Sequence, residues 1–335
     1  MEINDINAAI AEYKKGGKVY LTTGEYCVSD TVLLDTPCLK IEGESWNYPS
    51  DPNGVFESEY GTKLRLAKSG IPAIRIGKEN VIGGATVKDI GIQGNICGMD
   101  TRGMFDYESP ASASGICFDA KRVDQCEFSK VSFTGLASAI CVTGDAEIDG
   151  CTFEKLNTDG CCIGVYFAPR ASYYARFRHV IAADTPEYGF LVNGEKAFMH
   201  NLDIDGAHFV RNGGGFRERV PFPKAAVCFY KVSKCAVRNC IFDAPGVFWY
   251  YEPDAVKNSE RQPQKNAVPA LVIEGNGNRI ISNTFLNCSA EAIIINGDNN
   301  IVMNNICDGD IVVNGKNNTV LNNVFTKESA GIRFI

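Results

Sequence analysis

The chain has 335 residues, of which 45% are apolar and 22% are charged, with a formal net charge of −7 and a pI near 5.2. This acidic balance argues against nucleic acid as a partner. No apolar run is long enough to cross a membrane, so the sequence predicts a globular protein with no membrane partner.

A short helix is predicted at the start of the chain, where Ile3, Ile6 and Ile10 are spaced for one face and Gly16-Gly17 ends the pattern. We expect this segment, residues 1–17, to cap one end of the fold. The first residues show no signal peptide. The 14 cysteines contain no C-x-x-C pair, so neither a zinc site nor another metal site is expected. So many unpaired thiols indicate a reducing compartment, which predicts a cytoplasmic protein, or a secreted one if a leader was removed.

Three long insertions are predicted from the spacing of apolar strands. Ile74 to Ile116, Phe190 to Val227, and Val227 to Leu271 are 42, 37 and 44 residues apart, about twice the shorter spacings found later. The additional residues are 95–113, 211–224 and 244–268. Each insertion precedes an equivalent strand, so we expect all three at one edge, which in a repeat protein usually marks the binding face.

The last third of the chain repeats a strand phrase whose first inward residues are 22, 18 and 21 positions apart: Leu271, Ile293, Ile311 and Ile332. A coil of about 20 residues with alternating strands and no helix cannot bury its inner face alone. The coils must therefore stack in parallel, as in a β-helix. Between the strands, Asn283, Asn304 and Asn322 are predicted to share one bend position, with left-handed backbone and stacked amides.

The opening strands carry a family resemblance. Gly17-Lys-Val-Tyr-Leu-Thr-Thr-Gly-Glu-Tyr26 resembles the start of pectin-lyase-like proteins, with Thr22-Thr23 where proline is usual. The resemblance implies an all-β fold: a right-handed, single-stranded parallel β-helix of about ten coils with a short N-terminal capping helix, in one domain spanning residues 1–335. In that superfamily the edge with the insertions holds a saccharide groove.

Alternation along the strands predicts the floor of such a groove. Its outward positions on successive coils are Asp119, Thr143, Tyr166, Asn193, Tyr230 and Glu274. Polar and aromatic side chains suit hydroxyl-rich ligands, although the ordinary solvated face of a sheet would look similar. Trp249 and Tyr250, in the third insertion, are added to the predicted substrate-binding residues.

The predicted chemistry depends on carboxylates. Asp159 and Glu187 precede equivalent strands on consecutive coils, with Asp184 as a third candidate. Adjacent rungs lie about 5 Å apart, which allows the roughly 5–9 Å separation of a glycosidase acid pair. The sequence therefore predicts an enzyme that cleaves glycosidic bonds in an oligo- or polysaccharide, without a cofactor.

Two narrower resemblances concern the same edge. Asn157-Thr-Asp-Gly160 resembles the Asn-Thr-Asp motif of polygalacturonases, whose other motifs are missing here. The overall layout resembles inulin fructotransferases, trimeric β-helix enzymes that cleave fructan by intramolecular transfer, with Pro186-Glu187-Tyr-Gly189 near their acidic segment. That resemblance implies a homo-oligomer with a trimer favoured, and we expect a second subunit to cover the last coil.

Basic residues support a different reaction. Arg211, Arg217 and Arg219 lie in the second insertion, and Arg176, Arg178 and His208 lie on neighbouring coils. Polysaccharide lyases of this fold use an Arg or Lys base on uronic-acid polymers, often with Ca²⁺, and such a cluster suits carboxylated sugars. A lyase and a non-catalytic, tailspike-like saccharide-binding module therefore stay as alternatives.

Overall fold

The computed structural model describes residues 3–13, 15–46, 61–68, 70–78, 80–94, 107–215, 221–248 and 264–335. Helix α1 spans Ile3–Glu12 and packs against the first coil through Ile6 and Ile10, which are both buried. The amide of Asn7 fixes the helix there, because it donates to the carbonyl of Thr31 and its oxygen accepts from the backbone N–H of Leu33. The predicted capping helix is confirmed.

Strands follow the helix through the whole described chain. The first coils contain β1 (Gly17–Leu21), β2 (Gly24–Val28), β3 (Val32–Leu34), β4 (Leu39–Gly43), β5 (Thr62–Leu66), β6 (Ile74–Ile76), β7 (Val81–Gly83), β8 (Thr86–Gln93), β9 (Ser114–Phe118), β10 (Arg122–Asp124), β11 (Glu127–Thr134) and β12 (Ser138–Val142). The middle coils contain β13 (Glu147–Asp149), β14 (Thr152–Asp159), β15 (Ile163–Phe167), β16 (Ala171–Tyr173), β17 (Arg176–Arg178), β18 (Ile181–Ala183), β19 (Tyr188–Asn193), β20 (Phe198–His200), β21 (Asp203–Asp205), β22 (His208–Val210), β23 (Val227–Tyr230), β24 (Ala236–Arg238) and β25 (Ile241–Asp243). The last coils contain β26 (Val247–Phe248), β27 (Gln264–Lys265), β28 (Leu271–Glu274), β29 (Arg279–Ile281), β30 (Thr284–Leu286), β31 (Ile293–Asn296), β32 (Ile301–Met303), β33 (Ile306–Cys307), β34 (Ile311–Asn314), β35 (Thr319–Leu321), β36 (Val324–Phe325) and β37 (Ile332–Phe334).

These strands form the faces of a parallel β-helix, apart from the antiparallel pair β26–β27. Sheet 1 takes one strand from each of eleven coils: β3, β6, β9, β12, β15, β19, β23, β28, β31, β34 and β37. Sheet 3 is shorter and contains β7, β10, β13, β16 and β20. The all-β prediction is confirmed.

Sheet 2 wraps around a bend and therefore has two faces. Face A runs through β1, β4, β8, β11, β14, β17, β21, β24, β29, β32 and β35. Face B runs through β2, β5, β8, β11, β14, β18, β22, β25, β30, β33 and β36. The eight-residue strands β8, β11 and β14 belong to both faces, whereas later coils break at the bend into two short strands.

The strand register confirms the predicted repeat. Leu271, Ile293, Ile311 and Ile332 pair in successive coils of sheet 1. The long coils are confirmed as well, because Ile74 pairs with Ile116, and Val227 pairs with both Phe190 and Leu271.

The bends use residues with left-handed backbone, but the asparagines divide into two roles. Asn304 and Asn322 have φ near +57° and +55°, and their equivalent in the preceding coil is Ser282. The stacked amides belong instead to the next position, where Asn283 bonds to Asn305 and Asn305 to Asn323. The prediction that Asn283, Asn304 and Asn322 share one position is therefore wrong by one residue.

The core is a continuous apolar column inside the coils. Its densest part is a run of phenylalanine rings, in which Phe153 and Phe177 stack at 4.3 Å and Phe242 and Phe285 at 4.5 Å. The column is open at its far end, because Ile332 and Phe334 in the last strand of sheet 1 are 39% and 69% exposed.

A candidate active site at one corner of the β-helix

The candidate site lies at the corner where the chain leaves face B and enters sheet 1. Asp159 ends β14 and pairs in register with Ala183, the last residue of β18. The corner residues that follow, Gly160, Asp184 and Arg211, have φ values of +63°, +49° and +52°. Left-handed backbone turns the chain sharply at the same place in each coil, so all three predicted acids come to this corner on two consecutive coils.

Glu187 occupies a locally lengthened turn. Asp159 pairs in register with Ala183, and Ile163 pairs with Tyr188. Ile163 is four positions after Asp159 in one coil, whereas Tyr188 is five positions after Ala183 in the next. The turn with Glu187 thus contains one additional residue. Its carboxyl side chain is only 2% exposed, and the phenol of Tyr107 donates to its Oε2 at 2.7 Å.

Tyr107 comes from the first insertion and was not predicted as a site residue. Its segment precedes β9, whereas Glu187 precedes β19. These strands are three rungs apart in sheet 1, because equivalent positions of β9, β12, β15 and β19 are occupied by Ser114, Ser138, Ile163 and Tyr188. The insertion therefore runs along the axis across three rungs. Ser138 secures it by donating to the carbonyl of Pro110 at 2.6 Å.

A buried amide fixes the turn beneath Glu187. Asn212, 1% exposed, accepts hydrogen bonds from the backbone N–H and the hydroxyl of Thr185, and its own amide donates to the carbonyl of Ala182 at 3.0 Å. Gly246 then donates its N–H to the carbonyl of Asn212 at 2.7 Å. Three successive coils are thereby connected at the corner.

Asp184 differs from the other two acids because Arg211 holds it. Nε and Nη2 of Arg211 donate to its two oxygens, each at 2.7 Å, and the Asp184 side chain is 5% exposed against 37% for Arg211. A carboxylate gripped by a bidentate partner is poorly placed for proton transfer or attack. This geometry argues against Asp184 as a catalytic acid and makes it the anchor of Arg211, itself a predicted substrate-binding residue.

Asp159 is half-buried at the end of its strand. One oxygen of each candidate acid, Oδ1 of Asp159 and Oε1 of Glu187, is inaccessible to solvent. Asp159 lies on face B at its boundary with the corner, and Glu187 lies in the corner turn of the following coil.

The predicted groove floor needs one correction. Five of the six predicted residues occupy equivalent positions on successive coils of sheet 1: Asp119, Thr143, Asn193, Tyr230 and Glu274. On the coil of β15, that position is occupied by Ala168, which directly follows the strand. Tyr166 pairs instead with Cys141 and Leu191, two residues earlier along the strand. It faces the same side of the sheet from there, and burial raises the pKa of the Tyr166 phenol.

Part of the outer face of sheet 1 is covered by the chain itself. Leu191, Cys228 and Val272 pack in an apolar cluster with Tyr188 and with Ala225, which directly follows the second insertion. Phe222 meets the ring of Tyr230 edge-on at 5.4 Å, and Tyr188 donates to the carbonyl of Pro223 at 3.4 Å. Burial raises the pKa of the Tyr188 phenol.

The other predicted residues are dispersed. Asp119 lies 3.8 Å from the Nε of Arg75, and Glu274 pairs in register with Asn296, farther along the floor. Arg217, Arg219, Trp249 and Tyr250 lie outside the described residues. Arg176 and Arg178 belong to β17 on face A, not to the corner, so the predicted basic cluster around Arg211 does not include them.

The described residues contain neither a cluster of metal ligands nor a helix that could span a membrane. No group of three or more His, Cys, Asp or Glu residues in these parts of the chain is arranged to hold a metal ion. In the same ranges, no helix combines the length and the apolar character that crossing a bilayer requires.

Solved structures with the same architecture were compared with this chain. A mutant DFA-IIIase from Arthrobacter chlorophenolicus A6 in complex with DFA-III superposes with a TM-score of 0.66 at 17% identity, over 96% of this chain and 79% of that one. The same enzyme without its lid, in complex with GF2, superposes with a TM-score of 0.59 at 17% identity, over 99% of this chain and 94% of that one. The Streptococcus pneumoniae surface adhesin PfbA superposes with a TM-score of 0.53 at 12% identity, over 98% of this chain and 88% of that one.

No protein-family model and no curated protein matches the chain by sequence. The structural likeness, at identities of 17% and below, establishes the fold. The chain is therefore a parallel β-helix, with an architecture similar to those of DFA-IIIase and PfbA.

Proposed function

We propose that this protein cleaves glycosidic bonds in an oligo- or polysaccharide at the corner that carries Asp159 and Glu187. The observation that carries the proposal is the buried carboxyl of Glu187, held by Tyr107 across the same corner as Asp159. A fold rarely buries a carboxyl in a lengthened turn under an inserted segment without a use for it.

The two acids have different surroundings, which suggests different roles. Glu187 is removed from water and accepts a hydrogen bond from the phenol of Tyr107, and a carboxyl in such surroundings is suited to deliver a proton to the leaving oxygen. Asp159 is half-buried and closer to solvent, which suits a nucleophile or a base. A pair of this kind is the usual machinery of glycoside cleavage.

Fructan is the first substrate class to test. DFA-IIIase shares the architecture and is described in complexes with DFA-III and GF2. We extend this to the present chain as a fructotransferase-like or hydrolytic reaction, with Tyr166, Asn193 and Arg211 contacting the sugar. Tyrosine rings and amides bind hydroxyl-rich ligands well, and Arg211 is held at the corner by its two bonds to Asp184.

The second candidate is a saccharide-binding module without catalysis. It is favoured by the adhesin PfbA, whose architecture is also similar. Elimination by a lyase is a weaker alternative, because Arg211, the described arginine at the corner, is anchored to Asp184.

A substrate screen tests the proposal. Fructans, uronans and neutral glycans are incubated with the protein, and reducing ends and ultraviolet absorbance of unsaturated sugars are measured in parallel. We expect new reducing ends or cyclised products from one class without an absorbance rise. An absorbance rise would indicate elimination, and saturable binding without products would support the binding module.

A further inference from the structure

Face A of sheet 2 contains a pocket that the proposed reaction does not use. Its volume is about 550 Å³, and it is lined by Tyr174, Arg176, Asp203, Arg238 and Arg279 together with the short side chain of Ala236. Pockets that bind small ligands typically measure roughly 300–1,000 Å³. The strands of face B lie between this pocket and the corner that carries Glu187.

The register explains why a pocket forms here. Arg176, Asp203, Ala236 and Arg279 follow one another at equivalent outward positions of β17, β21, β24 and β29. The methyl group of Ala236 leaves a depression between longer neighbours. Since rungs are about 4.8 Å apart, Arg176 and Arg279 stand roughly 14 Å apart at its two ends.

The charges inside the pocket are unequally paired. Arg238 donates through Nε and Nη2 to the two oxygens of Asp203, at 3.0 and 2.7 Å, and its Nη2 lies 3.2 Å from Asp205. Both carboxylate oxygens of Asp203 are therefore already bonded to Arg238. Arg176 and Arg279 are exposed and form no ion pair with any residue in the described ranges.

The pocket is therefore electropositive on an acidic protein. Three guanidinium groups face two carboxylates, a local balance of +1, whereas the whole chain carries −7. A planar guanidinium with free N–H groups is suited to bidentate bonds with a carboxylate or sulfate.

Aromatic rings accompany the arginines. Tyr174 is 55% exposed at the bend that borders the pocket, and Phe198, on sheet 3, is 57% exposed with its ring 5.8 Å from that of Tyr173. Exposed rings beside hydrogen-bonding groups are suited to stack on sugar rings. The amide of Asn201, also in the lining, adds a group for hydroxyls.

We propose that this pocket binds an acidic oligosaccharide, with Arg176 and Arg279 pairing to carboxylate or sulfate groups and Tyr174 contacting a sugar ring. The ligand lies along the axis of the β-helix, across the depression at Ala236. The inference is independent of the chemistry proposed at the corner, because a protein without catalytic activity could still use the pocket.

Calorimetric titration of the full chain tests this proposal. The probes are an oligogalacturonate, a sulfated oligosaccharide of similar length, a neutral fructo-oligosaccharide and inorganic sulfate. We expect saturable binding of at least one acidic oligosaccharide, weakened by added salt, whereas any binding of the neutral one at the corner should not weaken with salt. The preferred acidic probe identifies the anionic group.

Variants then locate the site. The double change Arg176→Gln and Arg279→Gln should weaken binding about tenfold or more. The matched control, Lys40→Gln with Arg65→Gln, removes the same charge from the first coils and should alter affinity by less than about twofold. Equal affinity in the Arg176/Arg279 variant, tighter binding of inorganic sulfate than of either oligosaccharide, or no saturable binding would overturn the proposal.

Discussion

The phenol of Tyr107 donates a 2.7 Å hydrogen bond to Oε2 of Glu187, although 80 positions separate the two residues. Both side chains are buried, at 7% and 2% exposure. The bond joins an insertion in the third coil to a turn three rungs farther along the axis. It makes the first insertion part of the candidate site and not a peripheral loop.

Removing that hydroxyl should affect both stability and activity. Tyr107→Phe leaves a buried carboxyl oxygen without its phenol donor, which should lower the free energy of unfolding by about 1–3 kcal/mol. We expect kcat/KM on the substrate found by screening to fall about tenfold or more, with a shifted pH profile. Denaturant unfolding and initial rates measure these effects. Tyr20→Phe, at an exposed tyrosine, is the control, and equal behaviour of the two variants would contradict the role of Tyr107.

The repetitive part of the fold could be predicted from the sequence. Leu271, Ile293, Ile311 and Ile332 repeat at similar spacing because each coil must present the same inward positions to the core, and their pairing is as predicted. Asn283 was misplaced by one residue, because the adjacent asparagines of the later coils, such as Asn304 and Asn305, allow it two alignments. One member of each pair tolerates left-handed backbone, and the other joins the amide stack.

Tyr166 shows a second limit of pattern reading. Inward and outward side chains alternate with a period of two, so a slip of two residues leaves the burial pattern unchanged. Tyr166 and Ala168 both face outward under either alignment, and only backbone pairing distinguishes them. Apolar patterning therefore predicted the face of this residue but not its position along the strand.

The contacts that define the candidate site could not be predicted from the sequence. Asp159 and Glu187 could be placed at one edge because both precede equivalent strands. Tyr107 could not, because it reaches Glu187 through an insertion that lacks the repeat. The pairing of Asp184 with Arg211 was also unforeseen, since it depends on two left-handed corner residues of adjacent coils facing each other.

The Asp184–Arg211 pair should stabilise the corner more than a similar pair on face A. Arg211→Gln leaves a carboxylate that is 5% exposed, whereas Arg238→Gln leaves Asp203, which is 22% exposed. We expect the first change to cost about 1–3 kcal/mol, discounted because Arg211 is partly solvated, and the second less than about 1 kcal/mol. Double-mutant cycles from urea unfolding give the coupling energies. Equal couplings would contradict this ranking.

The buried asparagine stack should be essential to the last coils. Asn305 is 0% exposed, accepts from Asn283, and donates to Asn323 and to the carbonyl of Ile280. Asn305→Ala would leave several buried groups unpaired and should cost about 3 kcal/mol or more. Asn304→Gly, at the neighbouring position with φ +57°, should change stability by less than about 1 kcal/mol. Thermal unfolding compares the two, and a reversed order would contradict the assignment.

We propose that the protein is a homo-oligomer, with a trimer favoured. Leu321 and Val324, in the strands β35 and β36, are 52% and 58% exposed, which is costly for an apolar surface in water. Light scattering should give about three times the 36.5 kDa chain mass. Replacing both residues with lysine should dissociate the assembly, whereas Val81→Lys, at an equally exposed position on sheet 3, should not. A monomeric wild-type protein would contradict the proposal.

The central claim is that Asp159 and Glu187 form the acid pair, and turnover by Asp159→Asn and Glu187→Gln tests it most directly. Both changes keep the shape of the side chain while removing its charge and proton capacity. Asp243→Asn is the matched control, because Asp243 lies in the strand row of Asp159, three coils along. We predict that each of the first two variants retains its wild-type unfolding transition and loses activity by about a thousandfold or more, while the control stays active. Near wild-type turnover in either Asp159→Asn or Glu187→Gln would contradict the claim.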